Sequence, residues 1–75
     1  MSQLQPEMSL TQQLAARIAM QSFAPTELAI MAQMAKGNQS PEQIAKELVT
    51  MFPTWEATSK RVRLIVQYLR LYGED

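Results

Sequence analysis

An all-α domain of four helices is the architecture that this chain of 75 residues predicts. Large apolar residues recur at steps of three and four along most of its length. Capping residues precede the apolar stretches, and proline or glycine follows them. With no cysteine to form a disulfide, so small a fold must rely on helix packing, or on a second copy of itself.

Residues 1–8 have no apolar period and are expected to form a flexible tail, leaving 9–75 as a single helical domain. In the first helix Ser9 and Gln12 form a capping-box pattern. Leu10, Leu14, Ile18 and Phe23 follow at near-helical spacing, with Ala15, Ala16 and Ala19 making a flank that lets a neighbour approach closely. The Ala24-Pro25-Thr26 step ends this helix, and Thr26 is expected to cap the next. Leu28, Met31, Ala32 and Ala35 are its inward stripe, and Gly37 supplies a left-handed stop. "SPEQ" opens the third helix, with Ser40 as cap, Pro41 at the first position and Gln43 closing the box. Ile44, Ala45 and Leu48 face inward until Phe52-Pro53 stops the run. The expected spans are 9–23, 26–36, 40–51 and 55–72. The expected core is Leu14, Ile18, Phe23, Leu28, Met31, Ile44, Leu48, Phe52, Trp55, Val62, Ile65 and Leu69.

The fourth helix carries three sectors. Trp55, Thr58, Val62, Ile65, Leu69 and Tyr72 make a core stripe that Val66 widens. At 100° per residue, Ser59, Arg63 and Arg70 project about a quarter-turn away, with Lys60 and Gln67 beyond them. Arg61 falls on the other flank beside Tyr68, and Leu64 and Leu71 lie nearly opposite the stripe. Ser, Lys, Arg and Gln are the residue types that contact phosphates and base edges, so this flank fits a nucleic-acid-binding face as well as a solvated one. Seven basic residues against seven acidic ones exclude indiscriminate coating of nucleic acid.

The stretch "PTELAIMAQMAKGNQSPEQIAKEL", residues 25–48, resembles the helix-turn-helix output domains of the LuxR type. In that pattern an acidic residue opens a scaffold helix, a small residue and glycine end it, and a Ser- or Thr-capped helix carrying "EIA..L" follows. Glu27, Leu28, Ala35, Gly37, Ser40, Ile44, Ala45 and Leu48 stand in those places. The resemblance implies a helix-turn-helix-like core and a small transcription regulator, dimeric on double-stranded DNA. Its contacts would be Ser59, Lys60, Arg61, Arg63, Gln67 and Arg70, with Ser40 as a secondary phosphate contact. Where the family has a turn of about four residues, this chain has the longer "VTMFPTWEATSKRV".

A rival expectation is a protein-interaction module or adaptor that binds a partner helix through Leu64, Tyr68 and Leu71, or through a methionine surface of Met20, Met31, Met34 and Met51. The same leucine pair would serve a homodimer. Without histidine or cysteine, and with no paired carboxylates or glycine-rich phosphate loop, no enzyme activity, metal or cofactor is expected. No apolar run reaches a membrane span and no signal-peptide pattern opens the chain, so a cytoplasmic protein is expected.

Overall fold

The computed structural model describes residues 7–73. These form α1 (Leu10–Met20), α2 (Pro25–Ala35), α3 (Pro41–Met51), a 3₁₀ helix (Pro53–Thr58) and α4 (Ser59–Tyr72), with no strand among the described residues. The fold is the expected all-α one. None of these helices is long and apolar enough to cross a membrane.

Local chemistry sets where each helix starts. The Ser9 hydroxyl accepts the Gln12 N–H at 3.1 Å and Gln12 Oε1 accepts the Ser9 N–H at 3.1 Å, so two otherwise orphaned donors are satisfied together. Of the tail expected over residues 1–8, residues 1–6 lie outside the described ones. Glu7 is exposed, but Met8 is buried and its carbonyl accepts from Gln13 Nε2 at 3.0 Å. The first helix ends at Met20, and Ser22 and Phe23 donate back to the Ala19 and Met20 carbonyls, a tightening turn that swings Phe23 inward.

Two expectations about α2 are corrected. Its cap is Ala24 rather than Thr26: Pro25 occupies the first helical position, where its fixed φ fits, and Glu27 reaches back to accept the Ala24 N–H at 2.7 Å. Gly37 does not adopt a left-handed conformation, and α2 ends through Lys36 in right-handed geometry. Its terminal carbonyls find a distant donor instead, described below.

At α3 the Ser40 hydroxyl accepts the Gln43 N–H at 3.1 Å, while the return bond from Gln43 is absent among the described residues. Ser40→Ala is expected to cost about 1 kcal/mol. Urea unfolding reads this as a lowered midpoint with an unchanged slope.

The fourth helix is shorter than expected. Phe52, held out of helical geometry before Pro53, breaks α3, and the chain then winds as a 3₁₀ helix to Thr58, whose hydroxyl donates to the Trp55 carbonyl at 3.1 Å. Only at Ser59 does α-helical geometry resume. Trp55 therefore stands apart from the α4 stripe and acts as a plug: its ring meets Phe23 edge-on at 5.1 Å and stacks on Phe52 at 4.5 Å. Gly73 ends α4, and a Cβ there would collide with the Leu69 carbonyl.

The fourth helix is the centre of the fold, with α1, α2 and α3 all packed on it. Met31 and Ala35 from α2, Ile44, Ala45 and Leu48 from α3, Ala19 from α1, Trp55, and Val62, Ile65 and Val66 from α4 form one cluster. Phe23, Leu28, Phe52 and Leu69 pack against it half-buried. Met31 is buried and Met20 and Met34 border the core, leaving only Met51 of the four methionines open, at 54% exposure. A methionine surface does not form. Tyr72, on the expected core stripe, is exposed at the end of α4.

The larger correction concerns α1. Leu14 and Ile18, expected in the core, are 48% and 65% exposed, and Leu10 beside them is 70% exposed. Ala16 and Ala19 are buried in their place. A helix presents one stripe to its neighbour, and here the alanine face takes that position, since small side chains let α1 lie close on α4.

Candidate binding site between the third and fourth helices

No polar or charged side chain is fully buried among the described residues, so any polar chemistry lies at the surface. An open groove of about 530 Å³ lies between α3 and the start of α4. Burial of Ile44, Ala45 and Leu48 leaves Glu42, Lys46 and Val49, spaced by four and three, as the next row around α3. Facing them are Glu56 from the 3₁₀ helix and Ser59, Lys60 and Arg63 from α4, with Thr50 closing the α3 side.

The groove has an aliphatic floor, Ala45 and Val49, and a charged rim. Arg63 and Glu42 bridge it at 3.4 Å, with both side chains largely solvated. Such an exposed pair contributes at most about 1 kcal/mol. It is the one ion pair among the described residues, so Lys46 and Lys60 project from the rim with no carboxylate partner there.

The residues expected to contact nucleic acid divide. Ser59, Lys60 and Arg63 share the groove. Ser40 is exposed with its hydroxyl committed to capping α3, and Arg61 and Gln67, exposed and half-buried, lie outside the groove lining. Arg70 is engaged elsewhere: half-buried, it donates from Nε to the Ala35 carbonyl at 2.9 Å and from Nη2 to the Gly37 carbonyl at 3.1 Å. It thus supplies the cap for α2 that no left-handed glycine provides. Leu64, Tyr68 and Leu71 are each half-buried, and the Tyr68 ring lies 5.3 Å from that of Tyr72.

Sequence reading missed Lys46, Val49, Thr50 and Glu56 as members of one site. The signal in reach was the Glu42, Lys46, Val49 row on the flank of a helix whose inward face was already assigned. No three carboxylates gather into a metal-sized cluster among the described residues.

Fold and groove together define a small four-helix domain with a mixed-charge cleft at its α3/α4 edge. No protein-family model, curated protein or solved structure matches the chain. The functional reading therefore rests on fold and surface chemistry.

Proposed function

We propose that the chain is an interaction module whose α3/α4 groove receives a partner helix, with an aliphatic anchor over Ala45 and Val49 and acidic residues beside Lys46 and Lys60. The observation that carries this reading is the groove itself, an apolar floor under a rim with two cations lacking partners among the described residues. Helices dock in such grooves through a few aliphatic anchors, and rim charges select the partner and speed its arrival.

The DNA-binding regulator is the second reading, favoured by Lys46, Lys60 and Arg63 standing on one side of the domain beside Ser59 and Thr50. Two features weigh against it. The groove carries two carboxylates against three cations, a poor lure for phosphates, and Arg70 is spent on capping α2. A dimeric regulator would also need α4 presented to a major groove, and here the start of α4 is one wall of the cleft.

One pair of measurements separates the readings. Display selection against a random library of helical peptides should enrich an aliphatic anchor flanked by Asp or Glu, and the double variant Lys46→Glu with Lys60→Glu should weaken those peptides about tenfold or more. In parallel, anisotropy of labelled duplex DNA at low and moderate salt should show only weak binding. Tight, steeply salt-dependent DNA binding that the same double variant abolishes, with no groove-dependent peptide recovered, would overturn the module reading in favour of the regulator.

A further inference from the structure

We propose that the outward face of α1 is a self-association surface, on which a second copy of the chain packs its own α1 antiparallel about a twofold axis at Leu14. This inference does not rest on the α3/α4 groove. Failure of either leaves the other standing.

The first helix is apolar on two opposite faces. Its inner face is Ala16 and Ala19, buried on the α4 side of the fold, while its outer face presents Leu10, Leu14 and Ile18 at 70%, 48% and 65% exposure. A surface helix normally sets polar residues opposite its buried stripe. Here the three largest aliphatic side chains of the helix stand there instead, forming a patch on the order of a few hundred Å², comparable with the largest found on typical monomers.

Charge and symmetry identify the occupant. The helix has no acidic residue and one basic residue, Arg17, and at 100° per residue the outer face is flanked by Thr11 on one side and Arg17 on the other. A single positive charge at the edge of the face makes no pattern that selects an unlike partner. The row is also self-complementary: an antiparallel twofold through Leu14 sets Leu14 on its counterpart and Leu10 on Ile18 of the other copy. Arg17 lies three residues from the axis, so the two arginines are offset by about 9 Å along the helix direction. Each helix N-terminus also lies beside its partner's C-terminus, the favourable arrangement of helix dipoles.

Area sets the strength. A stable interface buries about 800 Å² on each partner, more than this patch offers, and each copy already has its own core. The dimer is accordingly reversible and concentration-dependent. Sedimentation velocity from about 10 µM to about 1 mM should show a rising dimer fraction.

Leu14→Glu, which sets two carboxylates on the axis, should weaken association about tenfold or more, while the melting temperature measured at low concentration stays near that of the parent. The absence of native cysteine allows a test of register. Leu14→Cys should oxidise readily to a disulfide-linked dimer, whereas Ile18→Cys, about 12 Å from its own counterpart along the helix direction, should not. A chain that stays monomeric throughout, a dimer indifferent to Leu14→Glu, or equal cross-linking at both positions would each overturn the proposal.

Discussion

Trp55→Ala is expected to remove a large share of the domain's stability and to lower its melting temperature sharply. The indole is buried between Phe23, in the turn after the first helix, and Phe52, at the break after the third, so it ties the 3₁₀ segment to a part of the chain some thirty residues earlier. Truncating a buried tryptophan costs about 3–5 kcal/mol. A domain of this length has roughly 4–11 kcal/mol in all. The first is a large enough part of the second that the variant should melt about 12 °C or more below the parent, at roughly 4–8 °C for each kcal/mol lost. Trp55→Phe keeps a ring against both neighbours and should lose distinctly less. Circular dichroism melts of the three proteins decide the matter, because a Trp55→Ala variant melting within a few degrees of the parent would mean that the 3₁₀ helix is an appendage rather than the plug of the core. Tryptophan fluorescence of the parent offers a second readout, since Trp55 is the only indole in the chain.

The contrast between what the sequence revealed and what it hid follows the range of the interactions. Ser9 with Gln12 and the Ser40-Pro41 start are local devices whose partners lie within four residues. They were readable for that reason. The inward positions Met31 and Ala35 of α2, Ile44, Ala45 and Leu48 of α3, and Val62 and Ile65 of α4 were readable too, because their three-and-four spacing holds within each helix. The first helix defeated the same reasoning because it has two rows at that spacing, a row of large aliphatic residues and a row of alanines. Side-chain size argues for the first row and close approach to α4 for the second, and only packing decides between them. Trp55 was legible as a plug, but its place on the α4 stripe assumed a period of 3.6, whereas the chain there winds at the tighter 3₁₀ pitch. The groove was harder to see, since its walls come from opposite sides of the Phe52-Pro53 break.

Arg70 shows how far residue type alone can mislead, and it carries the second large prediction. With Lys60, Arg61 and Arg63 it reads as one of a basic cluster, yet its guanidinium spans the end of α2 and binds two carbonyls that no local donor satisfies. Hydrogen bonds from a charged donor contribute about 1.5–3 kcal/mol where they replace an unsatisfied partner, and a cation at a helix C-terminus adds dipole stabilisation on the order of 0.3–1 kcal/mol. Arg70 is only half-buried, so solvent screening and water access to the freed carbonyls pull the expected cost of Arg70→Met down to about 2 kcal/mol. Arg70→Lys should recover part of it, since an ammonium keeps the charge but cannot match the two-pronged geometry. Arg63→Met removes only a solvated ion pair and should change stability by less than about 1 kcal/mol. Chemical unfolding of the three variants tests this ordering, and equal effects at Arg63 and Arg70 would refute the capping role. The ordering also bears on function: charge reversal at Arg70 would disrupt any binding activity through the fold, and Lys46 and Lys60, which hold nothing together, are the positions where charge reversal reports on recognition alone.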